Sequence, residues 1–559
     1  MATINPYGKL NEVEQERLIA RTRTRRRITI IGISSVVLAA VIVAAVIGAS
    51  QTKNNKSGGD KKSLLSTVKA ICSSTLYPDS CYNSLAPLVT SDNLKPQDLY
   101  KLSVQVAINE LSKASENFIN NGAKKFNITD KKTLLAIESC QELLNLSLDH
   151  LNNSLSIRDM TVFEAFDDLR TWLSSAGTYQ QTCIDELENA SQELTIFTNE
   201  NFKNSTEYTS NSLAIVTSFE ESISALGNIK RRRLMSFSKL LQTSNSSNIK
   251  ADVVVAKDGS GKYETIGDAL KDVPDKSKKR FVIYVKMGVY FENVRIEKSK
   301  WNVMMVGDGK DATIVSGSLN NVDGTPTFQS ATFAAFGQGF MARDMGFRNT
   351  AGAAKHQAVA LMSTADLSVF HRCTMDAYQD TLYANSNRQF YRECNIYGTV
   401  DFIFGNSAAV FQNCNILPKK PMLGQQNTIT AQGKFDPNQN TGLSIQNCTV
   451  SPSANLTGVS TFLGRPWKNY STTVFFNSFM DGFIDPKGWL SWVGTSAPVT
   501  IFYVEFQNAG VGAVTKNRVK WRGLKLNLTA SEVKKFTVGP FIDGDKWIPA
   551  TGVSYKPGL

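Results

Sequence analysis

Two hydrophobic patterns divide most of the chain. Between residues 63 and 230 apolar side chains recur at helical spacing. Tyr100, Val104, Ile108, Leu111, Ala114 and Phe118 step by three or four, as do Ile137, Cys140, Leu144, Leu148 and Leu151. Only three glycines interrupt this stretch (Gly122, Gly177, Gly227). The pattern predicts an all-helical bundle, with the thiol of Cys140 turned inward where a helix-to-helix disulfide can form. Cys72 and Cys81 would close a short loop at its start.

From residue 250 the grammar changes. Short β-branched or aromatic runs alternate with Gly and Asn turns, and a register repeats. Val369–Met375, Phe390–Ile396, Val410–Ile416 and Ser444–Val450 each carry a cysteine at the same place, and Phe340–Met345 and Phe476–Met480 are relatives without one. The cysteines 373, 394, 414 and 448 step by 21, 20 and 34 residues. A unit of about 20 residues fits three short strands and three turns, one rung of a parallel β-helix whose stacked rungs share a core. The longer last step predicts an insertion in one turn. Stacking brings the cysteines together, where they can bond or serve as small apolar core residues.

A third pattern lies near the start. Residues 28–49 form an uncharged, predominantly apolar run of 22, preceded by Arg21, Arg23, Arg25, Arg26 and Arg27. That is long enough to cross a bilayer, and the positive-inside rule keeps residues 1–27 in the cytosol and exports the rest. Cleavage as a long signal peptide is the alternative, and either way the bulk of the chain enters the secretory pathway. Eleven N-x-S/T sequons, from Asn55 to Asn527, agree with a glycoprotein.

Charge sharpens the division. The chain carries 61 Lys+Arg against 49 Asp+Glu. Residues 63–230 hold 12 basic and 21 acidic residues (net −9), and residues 236–559 hold 35 and 24 (net +11). Between them, Arg231-Arg232-Arg233-Leu234-Met235 opens a Ser/Asn-rich linker, which reads as a proteolytic processing site. The organisation expected is therefore a cytosolic tail (1–27), membrane helix (28–49), linker (50–62), helical domain (63–230), processing linker (231–249) and β-helix domain (250–559). Three histidines in all (His150, His356, His371) lower the prospects of a histidine metal site or a Ser-His-Asp triad.

Candidate chemistry falls on adjacent rungs. Asp380, in Tyr378–Tyr383, and Asp401, in Gly398–Gly405, are one rung apart among bulky apolar residues. Two close carboxylates do not ionise equally, so one becomes an acid and the other an anionic nucleophile. Gly464-Arg465-Pro466-Trp467 adds a cation able to hold Asp401 and an aromatic plate able to stack on a sugar. Asp258–Lys262 looks like a phosphate loop but lacks the G-x-x-x-x-G-K-[ST] spacing, and no G-x-S-x-G elbow occurs.

The strings VAKDGSGKYETIGDAL (255–270), AYQDTLY (377–383), GTVDFIFG (398–405) and LGRPW (463–467) resemble those of plant pectin methylesterases (pectinesterases). The acidic helical half is similar to the plant invertase and pectin methylesterase inhibitor family. The resemblance implies an all-β right-handed parallel β-helix that removes methyl esters from homogalacturonan, releasing methanol and leaving pectate. It implies no metal and no other cofactor. It assigns Asp401 as nucleophile, Asp380 as proton donor and then base, and Gln379 and Gln357 as oxyanion stabilisers. Arg465 would hold Asp401, and Thr327, Gln357, Arg465 and Trp467 would contact substrate. It implies disulfides Cys72–Cys81, Cys140–Cys183 and Cys394–Cys414, leaving Cys373 and Cys448 undecided. Pectin, the chain's own pro-domain, separate inhibitor proteins and a processing protease would be the partners, with no nucleic acid. The precursor would be membrane-anchored and the mature enzyme extracellular, in the cell wall. The same scaffold and carboxylate pair also suit a glycoside hydrolase or lyase. A further alternative is a non-catalytic wall-binding or inhibitor protein in which only the helical half acts.

Overall fold

The computed structural model describes residues 60–89, 96–122, 126, 128–156, 165–188, 192–225 and 250–559. The proposed membrane segment 28–49 and processing site 231–235 lie outside them. Among the described residues no helix is long and apolar enough to cross a membrane.

The first half is helical, as the stripes require. We label its helices α1 (Asp60–Cys72), α2 (Pro78–Leu85), α3 (Pro96–Asn117), α4 (Lys131–Leu155), α5 (Phe166–Glu188) and α6 (Gln192–Ala225). The stripe from Tyr100 to Phe118 is buried along α3 and the turn that continues it. On α4, Asp130 caps the first turn by accepting from the Thr133 N–H at 2.8 Å. Disulfides Cys72–Cys81 and Cys140–Cys183 join α1 to α2 and α4 to α5, the two pairings expected for this half.

The second half is a parallel β-helix. Three all-parallel sheets of 11, 7 and 8 strands are formed by strands that recur every third position in chain order. In the 11-stranded sheet Phe370, Tyr391, Phe411 and Ile445 pair in register. Phe370, Tyr391 and Phe411 stack inside with ring centroids 4.9 and 4.6 Å apart.

The repeated register has a conformational origin. Asp344, Arg372, Glu393, Asn413, Asn447 and Asn477 all have φ between 52° and 57°, one at the same corner of six successive rungs. This left-handed corner turns the chain from the 11-stranded to the 8-stranded sheet. The next residue, Met345, Cys373, Cys394, Cys414, Cys448 or Ser478, is buried. Left-handed backbone costs a non-glycine residue about 1–2 kcal/mol, and the ladder bonds on either side hold it there.

Two expectations are corrected. The extra length between Cys414 and Cys448 is not one insertion. It is divided between the turns 419–426 and 433–441, which flank the strand Asn427–Gln432. Cys394 and Cys414 are free thiols rather than a disulfide, as are Cys373 and Cys448. Each thiol faces backbone carbonyls inside the solenoid, Cys394 that of Phe370 at 3.3 Å and Cys414 that of Tyr391 at 3.5 Å. They act as core residues.

The outer face of the 11-stranded sheet is covered by the C-terminal segment, where Val538, Ile542 and Ile548 pack on Val369, Phe390 and Val410. The outer face of the seven-stranded sheet is covered by the helical domain.

Candidate active site

Asp380 and Asp401 immediately precede two neighbouring strands of the seven-stranded sheet, Leu382–Ala384 and Ile403–Gly405, in which Leu382 pairs with Ile403. Both stand two residues before this pair, so they occupy equivalent places on consecutive rungs. Both have left-handed backbone (φ 63° and 51°) and are nearly sealed, 8% and 5% exposed. Strained φ at two neighbouring carboxylates is a feature of functional sites.

Their environments differ. Arg465 reaches Asp401 with two N–H groups, Nε to Oδ1 at 2.8 Å and Nη2 to Oδ2 at 2.6 Å. The Thr428 hydroxyl donates to Oδ1 at 2.6 Å. Asp401 is thus clamped in one orientation by charge-assisted hydrogen bonds. The Asp380 carboxyl has no such clamp. Burial, followed by the nearby charge of Asp401, raises it well above the usual carboxylate range, and Arg465 only partly opposes the shift. Two carboxyl groups in unlike surroundings, one clamped and one raised, therefore neighbour each other.

Gln357 and Gln379 pair across neighbouring rungs, and the Ala358 N–H donates to the Gln379 carbonyl at 3.2 Å. Both side chains are half-buried, with Gln379 adjoining Asp380. Thr327 opens the short turn Thr327–Ser330 at the same sheet. Trp467 extends an outward aromatic strip: Tyr383 stacks on Phe404 at 4.1 Å, and Phe404 lies 6.2 Å from Trp467. The expected site residues thus gather on or beside one sheet face. Sequence reading missed Thr428, which lies on the next rung, beyond the longer turn 419–426. It also missed Trp492, whose ring the Arg465 guanidinium covers at 4.3 Å.

The helical domain, expected as a partner of the solenoid, carries no recognisable catalytic motif, and the residues through which it docks were not foreseen. Helix α5 lies on this face, and one side of it makes the contacts. Ser175 donates to Asn387 Oδ1 at 2.8 Å, and Thr178 accepts from Asn406 at 2.9 Å. Tyr179 accepts from Ser386 at 3.0 Å, and Asp185 pairs with Lys468 at 2.6 Å. At the end of this side, Glu186 accepts from the Phe328 N–H at 3.2 Å, next to Thr327. Burial pushes the Glu186 carboxyl up to about 8, and it sits close enough to disfavour charge on Asp380.

Every ion pair between the halves, among the described residues, runs one way. Glu142, Asp149, Asp167, Asp168 and Asp185 of the helical domain meet Arg295, Lys298, Lys546, Arg388 and Lys468 of the solenoid. This is the expected meeting of the net −9 and net +11 halves.

Comparison with known proteins agrees with this division. The family model described as Pectinesterase matches residues 252–545, and that described as Plant invertase/pectin methylesterase inhibitor matches residues 66–215. A "Putative pectinesterase/pectinesterase inhibitor 24" of Arabidopsis thaliana is 54% identical, covering 99% of this chain and 100% of its own. "Pectinesterase 3" of Phaseolus vulgaris is 47% identical over 99% and 98%. Among solved structures, a pectin methylesterase from carrot matches with 50% identity and a TM-score of 0.55, covering 56% of this chain and all of its own.

Proposed function

The chain belongs to the pectinesterase family, with an inhibitor-family domain ahead of the esterase domain, and we propose that Asp401 and Asp380 carry its reaction and that the helical domain holds it off. The observation that carries this reading is the unequal pair, Asp401 clamped by Arg465 and Asp380 raised by burial beside it. The Asp401 carboxylate attacks the carbonyl carbon of a galacturonate methyl ester. Negative charge then moves to the carbonyl oxygen, where the half-buried amides of Gln379 and Gln357 can donate to it. Its collapse breaks the bond to the methoxy oxygen, which takes the proton of Asp380 and leaves as methanol. Asp380, now a carboxylate, removes a proton from water, which cleaves the Asp401 anhydride and restores both groups. Thr327 and Trp467 would border the sugar chain.

In the precursor, α5 occupies the face where that chain would lie, and Glu186 brings a carboxyl to the catalytic pair. This supports autoinhibition, relieved by a protease acting at Arg231–Met235. Separate inhibitor proteins of the same helical family would take the place of the released domain. Export through residues 28–49, membrane anchoring of the precursor, glycosylation at the sequons and action in the cell wall complete the reading. A right-handed solenoid agrees with the strong preference of parallel crossovers.

The test is to assay methanol release and new reducing ends from esterified homogalacturonan, before and after cleavage of the linker. Methanol without reducing ends, rising after cleavage, is the expected result. New reducing ends would indicate a glycosidic-bond enzyme. Equal methanol release before and after cleavage would remove the autoinhibitory role.

A further inference from the structure

Asp380 and Asp401 occupy equivalent rung positions, yet their backbone amides are held differently. The Asp380 N–H makes an ordinary ladder bond to the next rung, to the Val400 carbonyl at 3.0 Å. At Asp401 the corresponding donor goes to a side chain instead, the Thr428 hydroxyl oxygen at 2.8 Å. That hydroxyl still has its own proton to give, and it donates it to Asp401 Oδ1 at 2.6 Å. The backbone of Thr428 stays paired: its N–H donates to the Thr399 carbonyl at 3.1 Å, and its carbonyl accepts from the Phe402 N–H at 3.3 Å. Only one ladder bond has been exchanged, and Thr428 is 1% exposed, so water does not compete for its hydroxyl.

We propose that Thr428 is the positioning residue that makes Asp401, rather than Asp380, the nucleophile of the pair. The inference rests on the reading of Asp401 as the attacking carboxylate. The ring formed by the Asp401 N–H, the Thr428 hydroxyl and Asp401 Oδ1 fixes the side-chain torsions of a residue whose backbone is already in the left-handed region. It also distinguishes the two carboxylate oxygens. Oδ1 accepts from Thr428 at 2.6 Å and from Arg465 Nε at 2.8 Å, which occupies both of its in-plane lone pairs. Oδ2 has one short bond, to Nη2 at 2.6 Å, and a longer shared one to Nε at 3.1 Å. Oδ2 is therefore the oxygen whose electron pair forms the bond to the ester carbon. The carbonyl electron pair moves to its oxygen and returns as the carbon–methoxy bond breaks, and the Asp380 proton goes to the methoxy oxygen. Thr428 keeps its proton throughout.

The test uses residues 250–559, since the carrot pectin methylesterase structure is matched over all of its own chain by 56% of this one, carrying Thr428→Val, Thr428→Ala or Thr428→Ser. Loss of a hydrogen bond to a charged group predicts kcat lower by about ten- to a hundredfold in the Val and Ala variants, with KM within about twofold. Thr428→Ser restores the hydroxyl and should return kcat to within about threefold of the parent. Rates are referred to folded protein, and if Thr428→Val does not fold, the Ala and Ser pair gives the same decision. The inference is overturned if Val or Ala keeps kcat, if the loss appears in KM, or if Ser falls with Ala. Asp401→Asn is assayed in parallel. Activity surviving there means the nucleophile assignment has failed, whereas an inactive Asp401→Asn beside an active Thr428→Val means that only the role of Thr428 has failed.

Discussion

Glu186, near the end of α5, accepts a hydrogen bond from the backbone N–H of Phe328 at 3.2 Å, and this contact carries a carboxyl of the helical domain to the edge of the Asp380–Asp401 pair. An acid in such a place is tolerated while protonated and resisted once ionised.

That difference predicts a pH-dependent grip. Docking raises the Glu186 carboxyl from its ordinary 4.5 to about 8, so the docked state binds the extra proton. Its contribution is fully present below about 4.5 and is lost as pH rises toward 8. Asp380 and Asp436, both raised at this contact, act in the same sense as Glu186, and three further groups act outside the upper part of this window. His150 is lowered from 6.5 by burial and works in the opposite sense below that value. Asp543, raised to about 6, acts below it, and Lys434, lowered to about 8, acts above it. Between pH 6.5 and 8, affinity of the cleaved helical domain for the solenoid should fall by up to about tenfold per pH unit. Glu186→Gln should flatten this dependence, as read by titration calorimetry of the cleaved protein.

Salt should loosen the same contact. The five cross-domain pairs include exposed ones, such as Lys298–Asp149 and Lys546–Asp167. Each is worth about 0.2–1 kcal/mol, and all weaken as the screening length falls. Inhibition of the cleaved enzyme should decline steadily from low to high sodium chloride. Lys468→Ala, which breaks the more buried pair with Asp185, should weaken docking more than Lys298→Ala does.

The thiols offer an independent check. Four free cysteines in the solenoid predict four titratable thiols per chain after unfolding without reductant. A Cys394–Cys414 bond would leave two. Mild reduction, which opens Cys140–Cys183 between α4 and α5, should relieve inhibition in the precursor while leaving the activity of residues 250–559 unchanged.

Removing the oxyanion donors should affect turnover rather than binding. Gln379→Ala and Gln357→Ala are each expected to lower kcat by about a hundred- to a thousandfold, and Asp401→Asn should lower it further. Steady-state methanol release by the esterase domain measures all three.

Much of this was legible in the sequence because a solenoid writes its geometry as a repeat. The rung register was visible because six successive rungs turn at one left-handed corner before a buried residue, and the two aspartates could be paired because 21 residues are one rung. Cys72–Cys81 was legible as a short loop and Cys140 as an inward stripe residue, whereas its pairing with Cys183 came from the resemblance. The split insertion was hidden because a spacing of 34 does not say which turns absorb it. Thr428 was invisible because its partner Asp401 lies across the first part of that insertion, and Trp492 because no repeat in the sequence ties it to Arg465. Glu186 looked like one more acid on an acidic helix, and only docking against Phe328 gives it a role. The Cys394–Cys414 pairing came from resemblance, and the stacked thiols are accommodated in the core without it.

The central claim is that two identical side chains on neighbouring rungs hold protons unequally. Infrared difference spectroscopy of residues 250–559 at neutral pH, comparing the parent with Asp380→Asn, tests it most directly. The account predicts a protonated-carboxyl band in the parent that disappears in Asp380→Asn. A parent without that band, or a band that survives in Asp380→Asn, would contradict it.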